Sequence, residues 1–305
     1  MAHLPKPWVR DEKLRGDASA RSYSRLWSAD GETAILVRYP QVDRRRLARD
    51  LEVCEWCRRQ GLRVPAMIDH DVTGGWAVLE DFGESDAEQE ITAALVGQRL
   101  ALGMRAIAPL VTFSKMAPGD LPGWNAPLDR QRLRWELAGL ELWYLRHRCG
   151  VRPSPKIGKW LDWLASTIAD HPKRVCHRDY HLNNIFFVDA GEVGLIDFQD
   201  LLVGPDTYDA VSLLGERAMP LVLGKSQRER IRRAWAERTN AAAGWRDRWR
   251  LVGIQRGLKV LGTFARLAAS GAQGYEGWLA SLARDLSPEL AAVDAPQALV
   301  EFVRR

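Results

Sequence analysis

The 305-residue chain lacks the features that mark several protein classes. No run of about 18 uncharged apolar residues occurs, so the sequence offers no candidate membrane span. The segment 1–13 carries prolines and charges where a signal peptide has an apolar core. Four cysteines are too few for a disulfide scaffold. We therefore expect a cytoplasmic protein with no membrane partner.

Cys54 and Cys57 form a CxxC pair, which is typical of redox sites or of half a zinc site. A second pair is missing, and the surrounding pattern predicts a helix, on which both residues share a face. We interpret them as ordinary small helix residues.

Charge is plentiful but is not concentrated in one segment. The net charge of +5 comes from 44 basic and 39 acidic residues distributed along the chain, which argues against a nucleic-acid partner. The length and an apolar content of 46 % suit a folded protein with two lobes.

The apolar pattern changes along the chain. Strand-like runs at 22–27, 33–39, 64–68 and 76–79 surround a predicted helix at 41–60, which indicates a small α+β lobe. Helical spacing then dominates, whereas prolines between residues 85 and 125 suggest a long loop. Further helices are predicted at 133–144, 157–168, 207–215, 226–240 and 250–269.

Two short apolar runs, 185–188 and 193–196, flank the polar turn 189–192 and predict an antiparallel hairpin. If Val188 faces Val193, Asn184 stands opposite Asp197. Opposed side chains lie about 4.5–5.5 Å apart at Cβ. An amide oxygen and a carboxylate at that separation suit a Mg²⁺ ion.

Asp179 precedes Asn184 by five residues, and this order is the one that protein-kinase-like phosphotransferases use. In such enzymes the first Asp accepts the proton of the attacking hydroxyl, while the Asn and the second Asp hold the metal. We therefore predict an α+β, bilobal protein-kinase-like fold. Its N-lobe would be residues 1–82, which bind nucleotide, and its mainly helical C-lobe residues 83–305, with the catalytic loop and the substrate site.

Only eight residues separate Asp197 from Asp206, and no Ala-Pro-Glu follows. A protein kinase needs a longer activation segment there, so a small-molecule substrate is favoured. The N-terminal region also has few glycines and no Gly-rich loop.

The segment His177–Asn184 resembles the Brenner motif of aminoglycoside phosphotransferases and choline-kinase-like enzymes. The segments 195–200, 204–214 and 255–267 are similar to the bacterial cell-wall amino-sugar kinases, as are 17–23 and 79–83. Those enzymes phosphorylate the anomeric hydroxyl of N-acetylmuramate and N-acetylglucosamine in peptidoglycan recycling. The resemblance implies ATP and Mg²⁺ as cofactors and an amino sugar as the small-molecule substrate.

The resemblance also implies roles for individual residues. Asp179 would be the catalytic base, and Asn184 and Asp197 the metal ligands. The backbone at Leu79 and Asp81 would contact adenine.

Two further nucleotide-site residues follow from the same resemblance. Ser22 belongs to the nucleotide loop. Arg38 stands where the family has a phosphate-binding Lys, and the following helix offers Glu52 as its partner.

Several side chains near the motif have two readings. His177, Asp179 and His181 could form a metallohydrolase site, although a bracing role for His177 fits the motif better. Asp206 and Asp209 have the spacing of helix caps, and Asp209 could instead hold the catalytic loop.

A basic stripe on the last predicted helix, 250–269, has two readings as well. It is either a solvated face or the border of a substrate cleft that attracts an anion such as a lactyl carboxylate. Its members are Arg256, Lys259, Thr263 and Arg266.

Two other functions stay open on the sequence. An aminoglycoside or choline-type kinase would use the same motif on a cationic substrate. A catalytically silent nucleotide-binding module is the alternative from another class, and the Arg38 departure keeps it open. The sequence gives no indication of oligomeric state.

Overall fold

The computed structural model describes residues 8–14, 20–188, 191–215 and 219–304. The strands are Trp8–Lys13 (β1), Ser22–Ser28 (β2), Thr33–Arg38 (β3), Met67–Asp71 (β4), Trp76–Glu80 (β5), Lys173–Cys176 (β6), Ile185–Phe186 (β7), Gly194–Leu195 (β8) and Leu202–Pro205 (β9). The α-helices are Arg44–Arg59 (α1), Ala87–Ala93 (α2), Val96–Arg105 (α3), Ala108–Lys115 (α4), Arg130–Glu136 (α5), Pro155–Ala169 (α6), Tyr208–Gly215 (α7), Met219–Val222 (α8), Lys225–Arg238 (α9), Trp245–Ala269 (α10), Tyr275–Ala291 (α11) and Gln297–Arg304 (α12), and a π-helix spans Leu140–Arg148. No helix in these ranges is long and apolar enough to cross a membrane.

The chain divides into two compact units built from interleaved segments. The first comprises Met1–Met116, Asp179–Leu201 and Ala218–Ile231, and the second comprises Ala117–Arg178, Leu202–Arg217 and Arg232–Arg305. The predicted boundary between residues 82 and 83 lies inside the first unit. The assignment of nucleotide binding to 1–82 and of the substrate site to 83–305 stays a prediction.

A five-stranded antiparallel sheet in the order β1-β2-β3-β5-β4 forms the N-terminal part of the first unit. Alternating residues of β2 and β3 are buried, because one face of the sheet covers a small core. Gly31 takes φ 88° in the β2–β3 turn, a conformation that favours glycine. Helix α1 ends at a left-handed Gly61, as predicted. Strand β1 was not predicted.

The predicted long loop between 85 and 125 is wrong for about its first three quarters, where α2, α3 and α4 lie. Helix α2 starts with a capping box in which Asp86 and Gln89 exchange side-chain and backbone hydrogen bonds. Pro109 lies in the first turn of α4, where its missing N–H costs nothing. The prolines therefore mark a helix start and, at Pro118, a single 3₁₀ turn.

The predicted hairpin exists, but its register is shifted by one residue. Ile185 pairs with Leu195 and Phe186 with Gly194, so the partner of Asn184 is Ile196, whose N–H donates to the Asn184 carbonyl at 3.0 Å. The predicted pairing of Asn184 with Asp197 is therefore wrong.

Contacts outside the hairpin account for this register. A Cβ at Gly194 would lie 2.5 Å from the ring of Phe82, so only glycine fits there. The N–H of Leu195 also donates to the carbonyl of Arg63 at 2.8 Å, which holds β8 from its other side.

The second unit is built around one helical core. The helix predicted at 133–144 is divided between α5 and the π-helix, with Leu137 at the C-terminal cap of α5. Its apolar residues are all buried (Leu133, Leu137, Leu140 and Tyr144). Gly262 of α10 lies against the backbone at Gly139, and a Cβ on Gly262 would be 2.4 Å from the Gly139 carbonyl carbon. Helices α11 and α12, absent from the prediction, complete this core.

The two cysteines of the CxxC pair are buried in α1, as their helical pattern predicted. Burial raises the pKa of both thiols, that of Cys54 to about 11. Raised thiol pKa values fit packing residues and not reactive thiolates.

Candidate active site

Asp179 lies in a tight loop of the first unit. Its backbone carbonyl accepts the N–H of His181 at 3.1 Å and the side-chain amide of Asn184 at 2.8 Å. These two hydrogen bonds curl residues 179–184 around the Asp179 backbone, while its carboxylate keeps partial exposure to solvent. The loop is thus ordered by its own polar groups.

Asn184 is buried and its amide nitrogen is occupied. Besides the Asp179 carbonyl, that nitrogen lies 3.2 Å from Nε2 of His181. The amide group is therefore oriented by its nitrogen, and its oxygen is the atom suited to a cation.

Asp197 follows β8 in a left-handed conformation, with φ 58° and ψ 34°. Its side chain is 42 % exposed, accepts a hydrogen bond from Gln199, and lies 3.6 Å from Nη2 of Arg21. Left-handed non-glycine residues are sparse in proteins and cluster at functional sites.

An amide oxygen from Asn184 and a carboxylate from Asp197 fit the preference of Mg²⁺ for oxygen ligands completed by water and phosphate. Within the described ranges, no group of three His, Cys, Asp or Glu side chains could hold a metal. His177, Asp179 and His181, the residues of the metallohydrolase reading, therefore do not form such a group.

Two further residues tie the loop into the first unit. The hydroxyl of Tyr180, fully buried, donates to the carbonyl of Ala106 at 2.7 Å. Asn183 donates to the carboxylate of Asp86 at 3.0 Å, which is also the N-cap of α2.

Asp209 and Asp206, predicted to cap α7, form their observed side-chain hydrogen bonds with groups outside that helix. Asp209 accepts the backbone N–H of His177 at 2.6 Å and that of Arg178 at 3.0 Å. Asp206 forms a two-hydrogen-bond pair with Arg248, at 3.1 and 2.7 Å. The alternative role for Asp209, holding the residues that lead into the catalytic loop, is the one observed. His177, predicted to brace the loop, is completely buried.

Comparison with known proteins identifies the family of this chain. Residues 11–249, more than half of the chain, match the phosphotransferase enzyme family APH. The chain belongs to this family. The predicted enzyme class, a phosphotransferase with an alcohol group as acceptor, is confirmed.

The chain is similar to one curated protein in sequence and to two solved structures in fold. An N-acetylmuramate/N-acetylglucosamine kinase from Pseudomonas aeruginosa is 30 % identical over 263 residues, 82 % of this chain and 75 % of that protein. A choline/ethanolamine kinase family protein from Mesorhizobium loti superposes with TM-score 0.64 over 99 % of this chain and 96 % of that one, at 14 % identity. An aminoglycoside-3'-phosphotransferase of type VIII gives TM-score 0.59 over 81 % and 93 %, at 18 % identity. The predicted protein-kinase-like fold, with a β-sheet N-terminal region and a mostly helical C-terminal region, is confirmed.

The phosphotransferase's predicted adenine-contacting segment lies at the end of β5. The Asp81 carboxylate forms hydrogen bonds of 2.6 and 3.1 Å with Arg25, which also donates to the carbonyl of Gly83 at 2.7 Å. Leu79 pairs with Ile35 of β3. The segment is thus held rigidly, and its contact with adenine stays a prediction.

Three residues of the predicted nucleotide site lie at the protein surface. Ser22, Arg38 and Glu52 are all exposed, the first two paired across β2 and β3. Asp17–Ser19 of the predicted nucleotide loop lie outside the described residues. Their roles stay predictions.

A buried cluster that the sequence reading missed lies in the same unit. Nη1 of Arg21 is 3.4 Å from the carboxylate of Asp50, which also accepts the hydroxyl of Tyr39 at 2.9 Å. Burial raises the pKa of Asp50, while the hydrogen bond from Tyr39 and the charge of Arg21 act in the opposite direction. One signal was available: Asp50 falls three residues after Leu47 and four before Cys54, on the apolar face of α1.

The predicted substrate stripe is largely engaged within the second unit. Arg256 donates to Ser212 at 2.6 Å and lies over the ring of Tyr208 at 4.5 Å. Lys259 pairs at 2.8 Å with Glu136, whose side chain is 2 % exposed. Arg266 is exposed. A purely solvated stripe is therefore wrong for Arg256 and Lys259, and the substrate role of all three stays a prediction.

Proposed function

We propose that this phosphotransferase transfers the γ-phosphoryl group of ATP to the anomeric hydroxyl of an amino sugar, N-acetylmuramate or N-acetylglucosamine, in peptidoglycan recycling. The observation that carries the choice of substrate is the 30 % identity over 82 % of the chain with a kinase named for these two sugars. The geometry of the Asp179–Asn184 loop supports the choice of reaction.

Asp179 is the proposed general base. Its carboxylate accepts the proton of the sugar hydroxyl as the sugar oxygen bonds to the γ-phosphorus and the bond to the β-phosphate oxygen breaks, releasing ADP. Phosphoryl transfer proceeds through a loose transition state, so the carboxylate mainly orients the hydroxyl. The hydrogen bonds to the Asp179 carbonyl fix its backbone for this task.

Asn184 and Asp197 are the proposed ligands of Mg²⁺. When bound, the ion would neutralise charge on the phosphates of ATP. The hydrogen bonds of Asn184 involve its amide nitrogen. Its amide oxygen, a harder donor, is therefore left to bind Mg²⁺.

A substrate panel tests the proposal. ATP consumption would be measured by a coupled assay with N-acetylmuramate, N-acetylglucosamine, kanamycin, streptomycin and choline, using Asp179→Asn protein as the blank. We expect consumption above the blank with the two amino sugars alone. Turnover of choline or an aminoglycoside instead would favour the cationic-substrate alternative. ATP binding without turnover of any acceptor would favour a catalytically silent module.

A further inference from the structure

Strand β3 lacks a lysine for the nucleotide phosphates. In protein kinases a lysine of this strand contacts the α- and β-phosphates and pairs with a carboxylate on the following helix. Here the side chains of residues 33–37 are hydroxylic or apolar, and Arg38 at the strand end is exposed. Helix α1 does carry a buried acid, Asp50, two turns from its start. This acid pairs with a different cation.

That cation is Arg21, one residue before β2. Its side chain is 11 % exposed, and its two terminal nitrogens contact different carboxylates. Nη1 lies 3.4 Å from Oδ2 of Asp50, and Nη2 lies 3.6 Å from Oδ1 of Asp197. One guanidinium therefore bridges the helix acid and the proposed metal ligand.

The surroundings hold Arg21 in place. Its guanidinium carbon lies 5.8 Å from the ring centroids of both Tyr23 and Tyr39, and the Tyr39 hydroxyl fixes Asp50 with a 2.9 Å hydrogen bond. A guanidinium ordered in advance loses little side-chain freedom when it binds a phosphate.

The two carboxylates that contact Arg21 differ in solvent exposure, and this difference suits the binding of a phosphate. Asp50 is 9 % exposed and serves as an interior anchor, whereas Asp197 is 42 % exposed and open to a cation. A metal ion on Asp197 would bring phosphate oxygens next to Arg21, where charge-assisted hydrogen bonds are strong.

We propose that Arg21 is the phosphate-binding cation of this enzyme, anchored by Asp50 and contacting the non-transferred phosphates of ATP beside Asp197. In protein kinases a lysine of β3 binds these phosphates. Here an arginine just before β2 would bind them. This inference rests on the proposed use of ATP.

Nucleotide binding tests the inference without an activity assay. Affinities for ATP, ADP and adenosine would be measured by calorimetry with Mg²⁺ present. The proteins are wild type, Arg21→Ala, Arg21→Lys, Arg38→Ala and the control Arg59→Ala, an exposed arginine of α1. We expect Arg21→Ala to weaken ATP and ADP binding by about 10- to 100-fold, the range for losing a hydrogen bond to a charged group. Adenosine affinity should stay within about twofold, and Arg21→Lys should recover part of the loss.

Three results would overturn the inference. ATP affinity could persist in Arg21→Ala, or fall only in Arg38→Ala, which would assign the phosphates to Arg38. Adenosine affinity could fall in parallel with that of ATP, which would make Arg21 a structural residue. Absence of nucleotide binding by wild type would instead reject the proposed use of ATP, so the two failures are distinguishable.

Discussion

Arg178, which precedes the proposed base in the chain, has φ 80°, a left-handed conformation that is costly for a residue with a long side chain. Asp209 offsets this cost by accepting the N–H groups of both His177 and Arg178. Burial raises the pKa of Asp209, and its hydrogen bonds to the backbone act against that rise. A strained residue beside the base is typical of a site whose geometry matters more than its stability.

Replacing the proposed base removes the proton acceptor while preserving its shape. We expect Asp179→Asn to lower kcat by at least about 10²-fold, the usual size of a general-base contribution. ATP affinity should change little. Steady-state kinetics and calorimetry check both parts, with Asp162→Asn, a half-exposed carboxylate of α6, as the control. Comparable turnover in wild type and Asp179→Asn would contradict the assignment.

Replacing Asp197 should affect metal binding and not the proton transfer to Asp179. We expect Asp197→Ala to abolish the Mg²⁺ dependence of ATP binding, because Asn184 alone supplies a single neutral ligand. Calorimetric titrations with and without Mg²⁺ would measure this, and Asp200→Ala, the acid paired with Arg46, is the matched control. Undiminished Mg²⁺ dependence in Asp197→Ala would show that the ion is held elsewhere.

At the scale of elements, local patterns predicted the strands of the hairpin, whereas tertiary contacts determined its register. The apolar runs at 185–188 and 193–196 predicted a hairpin correctly, since period and turn composition are local properties. Its register depended on Gly194 fitting beneath Phe82, a contact between residues more than a hundred positions apart. No local pattern contains that information.

Some residues of the candidate site can be predicted from local sequence, and others cannot. Asp179, Asn184 and Asp197 stand out in the sequence because their order and spacing are characteristic of a kinase-like loop. Arg21 and Asp50 do not, because their pairing joins the residue before β2 to helix α1, and only folding brings these together. The spacing of Asp209 favoured a helix cap over a role in holding the catalytic loop. Its observed bonds to His177 and Arg178 depend on tertiary structure, where β6 pairs with β9.

Helix packing gives a prediction at this scale. A methyl group at Gly262 would meet the backbone at Gly139, which cannot rotate away, so we expect Gly262→Ala to destabilise the protein by about 1–3 kcal/mol. Gly253 lies on the same helix with its nearest neighbour, Val211, at 3.8 Å from a built Cβ. Gly253→Ala should therefore be neutral or stabilise by up to about 1 kcal/mol through helix propensity. Urea unfolding measures both changes, and equal effects would contradict the close-packing account.

At the scale of the whole molecule, two compact units share one chain that passes between them repeatedly. The segment 179–201 brings the three proposed catalytic residues into the unit that also holds the five-stranded sheet. Residues of the predicted substrate stripe belong to the other unit. The three proposed catalytic residues therefore come from one short segment of the first unit.

The stability of the folded chain should depend on pH through His171. Burial lowers the pKa of His171 to about 4, below its ordinary value of 6.5. Between these values the unfolded chain binds a proton that the folded chain does not, so stability rises with pH across the window and is lost as pH falls. The slope from this group approaches about 1.4 kcal/mol per pH unit.

Substitution of His171 measures its contribution to the pH dependence of stability. We expect His171→Gln to reduce the loss of unfolding free energy between about pH 6.5 and pH 4, as measured by urea denaturation. His70→Gln, an exposed histidine on β4, is the control and should leave the slope unchanged. An identical pH slope in wild type and His171→Gln would contradict the burial argument.

The proposed function is phosphorylation of the anomeric hydroxyl of an amino sugar, with Asp179 as the base. Phosphorus NMR of the product formed from ATP and N-acetylmuramate tests it most directly, since a phosphate on the anomeric oxygen couples to the anomeric proton. The account predicts a sugar 1-phosphate signal with wild type and at least about 10²-fold slower formation with Asp179→Asn. A phosphate on any other oxygen, or equal rates for the two proteins, would contradict it.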